Sequence, residues 1–356
     1  MRAASPSHVG RRSAAKLAYG FTTLGLVLAA TAGGLHVRAE HGNPTAVQLG
    51  MLRSRTFEFE YSMSLPSLPA TARRVSVWIP LPRETAAQHV EEMNIETNLS
   101  KKVVSDPVYG NRFLYLETDG GLPERPSVAL QFTIRRDGYG VRDPVASLSR
   151  TDQGVGFERF LQSDKLVPTS GVVAERSARV LSGFEGRSFQ KARLLYEEVL
   201  RTMRYDKSGV GWGQGDAVYA CEVGAGNCTD FHSLFIGMSR AAGIPARFVM
   251  GVPLPPARGE GQIPGYHCWA EFYDGEVGWV PLDASEAWKH PEMRELLFAG
   301  LDPNRVEFTI GRDIPLVPED RAAGEVLNYS VYPYVMIDGL PYDGFVTSFR
   351  FRDVES

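Results

Sequence analysis

The chain has 356 residues, 43% hydrophobic and 22% charged, which is the ordinary range for a globular protein with one large core and room for a smaller domain. Its 36 glycines and 23 prolines lie below the level of low-complexity disorder, and its three cysteines are too few for a disulfide scaffold or a Cys-rich zinc site. A formal net charge of −4 with scattered basic residues argues against a nucleic-acid binder.

Residues 1–39 contain Arg2, Arg11, Arg12, Lys16 and Arg38 and no Asp or Glu. The run from Leu17 to Ala32 is uncharged and mostly apolar. It ends in the small-x-small pattern Ala30-Thr31-Ala32, with Val37-Arg38-Ala39 as a second exit site. A basic start, an apolar stretch and a small-residue exit predict an export signal, and so a periplasmic or secreted protein. The alternative is a membrane anchor retained through residues 17–32, at the inner membrane. Loss of residues 1–39 takes the net charge from −4 to −9.

Residues 50–140 read as a β-rich domain. Thr56–Met63 alternates with period two, as a half-buried strand does, and Arg74–Ile79, Arg112–Leu116 and Val128–Ile134 follow between Gly/Pro-rich turns. The pattern predicts a small antiparallel sandwich. Residues 141–187 are expected to connect it to a second domain. From Ser188 the period changes: Ala192, Leu195, Tyr196, Val199, Leu200 and Met203 mark one face of an amphipathic helix. The glycine-dense stretch Gly209–Gly215 lacks the Lys-Ser/Thr ending of a phosphate-binding loop and is expected to be a mobile loop at the edge of a cleft. A second helix is expected to start at Asn227, with Asn227 and Asp230 as a capping box. Phe231, Leu234, Phe235, Met238 and Ala242 form its apolar stripe, and Gly243 and Pro245 end it.

Cys228 falls in the first turn of that helix, where unpaired N–H groups and the positive end of the dipole favour an anion. A thiol so placed is more thiolate at neutral pH, and its backbone N–H can serve a developing oxyanion. A thiol nucleophile needs a base, and the base an orienting group. His267 lies in a predicted strand, and Asp283 ends the strand that follows a turn near Asp274-Gly275. Pairing centred on Gly275 makes His267 and Asp283 cross-strand neighbours, which requires a loop with an odd number of residues.

These segments resemble the transglutaminase-like superfamily. Gly226-Asn227-Cys228-Thr229-Asp230-Phe231 is similar to its nucleophile motif, and Arg240–Arg247 to its helix-to-strand turn. His267-Cys268-Trp269-Ala270-Glu271 is similar to its histidine strand, and Gly278-Trp279-Val280-Pro281-Leu282-Asp283 to its aspartate strand. The resemblance covers residues 190–285, in an exported bacterial type of chain. It implies an α+β, papain-like core, with the Cys-bearing helix packed on an antiparallel sheet. It also implies Cys228 as nucleophile, His267 as general base and acid, and Asp283 as the group that orients His267. The expected division is a core over 188–315 and C-terminal strands over 316–356 packed on that core.

The expected chemistry is attack on an amide or ester carbonyl through a Cys228 thioester. Hydrolysis of a protein or peptide substrate is favoured over amine transfer. A glutamine transamidase and a non-catalytic cell-envelope scaffold are the alternatives. No metal or cofactor is called for. Trp212, Gln214 and His232 are candidates for the site wall, although the plainer readings are a packing or surface role for Trp212 and a core or capping role for His232. Trp269 and Trp279 are expected in the core, Arg247 beside a core carboxylate, and Cys221 and Cys268 as separate buried thiols. Strand alternation points Cys268 away from the site.

Overall fold

The computed structural model describes residues 53–118, 121–140 and 156–354. Its first long strand, β1 (Ser54–Ser64), alternates as its sequence does. Phe57, Phe59, Tyr61 and Met63 are buried, while Glu58 and Glu60 point outward. It pairs with β6 (Ser127–Asp137), so that Phe57 stands opposite Ile134, Phe59 opposite Phe132 and Tyr61 opposite Leu130. One face is thus largely apolar, ending in the buried pair Arg55 and Arg136, and the other polar, as in an antiparallel sheet with one solvated side. Strand β3 (Gln88–Thr97) adds to the far side of β6. A second sheet holds β2 (Val75–Pro80), β5 (Arg112–Glu117) and β4 (Ser100–Ser105). Val75, Val77 and Ile79 join the apolar face of β1 and β6 in one core.

Four helices follow: α1 (Gly171–Val180), α2 (Ser188–Thr202), α3 (Ala217–Val223) and α4 (Cys228–Ala241). The expected helix over 188–203 buries Ala192, Leu195, Tyr196 and Val199. Helix α1 lies inside the stretch read as a connection, and its buried Ser177 hydroxyl donates to the Met238 carbonyl of α4. Helix α4 is buried from Cys228 to Arg240, because the other helices surround it and a sheet lies against it.

That sheet has the order β10-β9-β7-β11, with β7 (Ala246–Pro253), β9 (His267–Asp274), β10 (Gly278–Leu282) and β11 (Arg305–Ile310), all antiparallel. Between β7 and β9 lies β8 (Glu260–Ile263), which crosses to the first sheet. A short helix, α5 (Ala284–Lys289), follows β10. At Gly251, opposite His267, the pairing of β7 with β11 shifts by a bulge. A Cβ on Gly251 would lie 1.9 Å from the Val306 carbonyl oxygen. Gly251→Ala is therefore expected to lower stability by about 3 kcal/mol or more through overpacking, read as a fall in the urea midpoint.

The strands β12 (Tyr334–Ile337), β13 (Leu340–Pro341) and β14 (Val346–Asp353) join the N-terminal sheets, and Phe349 of β14 also packs on Phe308 of β11. Strand β14 pairs with β1 on one side and β8 on the other, and β12 pairs with β2. Both complete the two sheets of the N-terminal β region. The physical reason is that β1 and β2 would otherwise present unpaired backbone edges.

Anchoring through residues 17–32, and the inner-membrane placement that followed from it, are corrected. Among the described residues no helix is long and apolar enough to cross a membrane. Residues 1–39, on which the export signal was read, lie outside the described residues.

Candidate active site

Asn227 caps α4, and its side-chain oxygen accepts from the Thr229 backbone N–H at 2.9 Å. Asp230 completes the capping box by accepting from the Asn227 N–H at 2.9 Å. The same buried carboxylate also accepts from the N–H groups of Gly213 (2.7 Å) and Gly215 (3.0 Å). Three backbone donors thus tie the helix start to the glycine stretch. The Asp230 side chain lies so close to Gly226 that a Cβ there would stand 2.3 Å from Oδ2, which is why the residue before Asn227 must be glycine.

The glycine stretch, expected to be mobile, is held from its other side as well. The buried Arg312 guanidinium donates to the Gly215 carbonyl, the Gln214 carbonyl and the Ser233 hydroxyl, and Tyr329 donates to the Gly213 carbonyl. Gln214 is exposed and anchored through its backbone; Trp212 is half-buried.

Cys228 is 3% exposed. His267, the first residue of β9, and Cys268, the second, are the neighbours that most strongly favour its thiolate. The His267 Nε2 lies 2.6 Å from Asp283 Oδ2, which leaves Nδ1 for the Cys228 side. The hairpin that brings them together has a loop over residues 275–277, an odd number, with Asp274 opposite Gly278 and Ala270 opposite Leu282. The pairing is therefore centred on Glu276, one residue beyond the expected Gly275. His267 and Asp283 become diagonal neighbours on one face of the hairpin instead of directly opposed ones. Diagonal pairs of long side chains still touch.

Asp283 is fully buried and caps α5, accepting from the Glu286 N–H and the Ser285 hydroxyl. Arg305 donates to it at 3.2 Å and stacks over Trp269. Burial disfavours this charge, but His267 and then Arg305 hold the Asp283 carboxyl well below its usual range. For His267, burial disfavours the cation, yet the Asp283 charge and hydrogen bond outweigh it and push the ring up to about 10. The Cys228 thiol is pulled well below its ordinary value, first by the neighbouring Cys268 thiol and then, against burial, by His267. The pair therefore favours thiolate and imidazolium at neutral pH.

His232 lies one turn after Cys228 and is fully buried. Its Nε2 accepts from the Ala284 backbone N–H at 3.0 Å, and its Nδ1 lies 3.5 Å from the Cys268 sulfur. Cys268 thus corrects the expectation from alternation. It faces α4, where His232 meets it. All three cysteines are free and buried. Arg247 pairs with Glu271 at 2.7 Å and stacks on Trp279, and Trp269 is fully buried, as core residues. Arg305 and Arg312 were not singled out from the sequence, since one buried arginine reads like any exposed one.

Residues 175–284 match the model of the transglutaminase-like superfamily. The chain is 26% identical to an uncharacterized protein of Haemophilus influenzae, over 81% of this chain and 88% of that one. It is similar to a solved structure from Cytophaga hutchinsonii, described as a "Putative Cysteine Protease", at 19% identity and a TM-score of 0.52, covering 84% of this chain and 98% of that one. Red sea bream transglutaminase matches at 14% identity and a TM-score of 0.25, over 63% of this chain and 48% of that one, too distant to weigh. Helix α4 packed on the antiparallel sheet β10-β9-β7-β11, preceded by paired β-sheets, gives this chain the α+β architecture of the papain-like, transglutaminase-like superfamily fold.

Proposed function

We propose that this chain is a cysteine hydrolase acting on an amide or ester carbonyl of a peptide or protein, with Cys228 as nucleophile, His267 as acid and base, and Asp283 as the group that orients His267. The observation that carries this reading is Cys228 at a helix N-terminus, under the charge of an imidazole that is itself bonded at 2.6 Å to a buried carboxylate. Residues 188–315 form the catalytic core in this reading, and the β region over 50–140 precedes it.

The Cys228 thiolate attacks the carbonyl carbon, and the oxygen takes the negative charge near the N–H groups of the first turn of α4. The His267 imidazolium then gives its proton to the leaving amine or alcohol as the tetrahedral adduct collapses to a thioester. The neutral imidazole next takes a proton from water, the hydroxide attacks the thioester, and the acid leaves with the thiolate restored. Asp283 keeps the ring in one orientation through both proton transfers. Water needs no dedicated acceptor site, which favours hydrolysis over amine transfer.

The test is acylation by an activated ester and by a peptide amide, with and without a primary alkylamine, followed by intact mass. The expected result is an acyl adduct on Cys228 that is lost in Cys228→Ala, with the free acid as main product even with amine present. An amide as main product would overturn hydrolysis in favour of transamidation. Equal turnover by Cys228→Ala would overturn the acyl-enzyme itself.

A further inference from the structure

Asp283 accepts from several donors, and among the described residues only Arg305 keeps a positive charge beside it throughout the reaction set out above. Oδ1 takes the Ser285 hydroxyl at 3.1 Å and the Glu286 backbone N–H at 3.0 Å. Oδ2 takes His267 Nε2 at 2.6 Å and Arg305 Nη1 at 3.2 Å. His267 gives a proton to the leaving group, so for the second half of the cycle the carboxylate faces a neutral ring. A fully buried carboxylate with no cation beside it tends to take a proton itself. A guanidinium does not lose its charge in a protein.

We propose that Arg305 is a positioning residue, a fixed cation that keeps Asp283 ionised, and so able to orient His267, while the ring is neutral and the thioester awaits water. The inference rests on the acyl-transfer reading and deepens it, by giving Asp283 a counter-ion in each half of the reaction. Arg305 is held in one place from several sides. It is buried at the start of β11, its guanidinium lies 5.0 Å from the centre of the Trp269 ring, and its Nη2 donates to Asp302 Oδ2 at 2.7 Å. The Asp302 carboxylate also accepts from the Asn304 N–H at 2.7 Å, and the Asn304 side-chain oxygen accepts from Arg55 of β1 at 2.7 Å. Arg55 is buried in turn and paired with Asp353 of β14 at 2.7 Å. The β region therefore holds the loop that leads into Arg305.

The other groups that face Asp283 do not supply this charge. His232 of α4 stands 3.6 Å from Oδ1, but its nearer nitrogen accepts from the Ala284 N–H, and burial disfavours its cation. Lys289 of α5 is paired with Glu286 at 2.7 Å and lies over the Tyr205 ring. Asp302 adds a like charge, which Arg305 offsets. Tyr196 of α2 and Cys268 of β9 are pushed up, first by burial, and stay neutral. Cys228 carries no charge while it is acylated.

The experiment loads Cys228 of the full chain with p-nitrophenyl acetate at pH 7. Intact mass then follows how fast the acyl adduct forms and how fast it is lost, in wild type, Arg305→Met and Arg305→Lys. Arg305→Met is expected to lose the adduct about tenfold more slowly, the size of one pKa unit on Asp283. Formation is expected to slow less, because His267 is still a cation in that step, so the adduct accumulates. Arg305→Lys keeps a cation and is expected to restore most of the rate of loss. A packing role predicts equal slowing of both steps, and that result overturns the proposal. So does a lysine variant no faster than the methionine one, or a methionine variant that behaves like wild type. In each of these cases the acyl-transfer reading stands. If wild type forms no adduct on Cys228, that reading fails and the proposal with it. Should Arg305→Met not fold, the carboxyl carbon NMR signal of Asp283, assigned with Asp283→Asn, is followed in wild type with Cys228 carboxamidomethylated. It is expected to stay that of an ionised carboxylate from about pH 5 to 9, across the range in which a histidine titrates, and a titration within that range overturns the proposal.

Discussion

Asp283→Asn is expected to slow Cys228 alkylation and any ester turnover at pH 7 by about 10²–10⁴-fold. The carboxylate accepts from His267 Nε2 at 2.6 Å and from Arg305 at 3.2 Å. An amide can offer an N–H to Nε2 instead, which moves the ring proton to the wrong nitrogen. It also removes the charge that holds His267 up at about 10 against burial. The sign is fixed by these two influences. Without Asp283 only Cys228 is left to oppose burial, so the imidazolium is lost at lower pH and the ion pair with Cys228 is weakened at neutrality. Alkylation would then rise only towards the pH of an unassisted thiol, about 8.5. Thermal unfolding of the same variant separates this from loss of fold. A rate within a few-fold of wild type would show that His267 does not depend on Asp283.

Asp230→Ala carries the second large effect, this time on stability. It strands the N–H groups of Asn227, Gly213 and Gly215, and each buried donor left unpaired costs about 1–3 kcal/mol. A total loss of about 3–6 kcal/mol is expected from urea unfolding. Hydrogen exchange at Gly213 and Gly215 should rise with it. Arg312 still holds the same loop through the carbonyls of Gln214 and Gly215, so Asp230→Ala loosens the loop and does not detach it. A loss below about 1 kcal/mol would mean that water replaces the carboxylate without penalty.

Local signals made the start of α4 legible. An Asx cap, a second carboxylate three residues on and a glycine-proline stop act within a few residues of each other, so their geometry follows from the sequence alone. The hairpin that carries His267 and Asp283 was legible in parity but not in position. An odd loop was required, while its centre at Glu276 depends on how the turn packs. Strand β3 was missed because its residues are polar on both faces at a sheet edge, with Glu91, Glu92, Met93 and Asn94 all exposed. Pairing of β14 with β1 joins residues nearly three hundred positions apart, and no local pattern specifies such a partner. Cys268 shows the limit of alternation: the rule gives the face of a side chain but not which helix end lies over the end of the strand. The buried arginines were hidden for a related reason. Arg305 and Arg312 are held by Asp283, Asp302, Asn328 and backbone carbonyls that only the folded chain assembles.

The most direct test of the central claim is the pH dependence of iodoacetamide alkylation for each of the three cysteines, beside Cys228→Ala and His267→Ala. One thiol is expected to react fast well below pH 8, to vanish in Cys228→Ala, and to slow by about 10–100-fold near pH 7 in His267→Ala, the size of a pKa rise of one to two units. Three slow thiols, with Cys228 indifferent to His267→Ala and rising only near an ordinary thiol pKa, would contradict an activated Cys228.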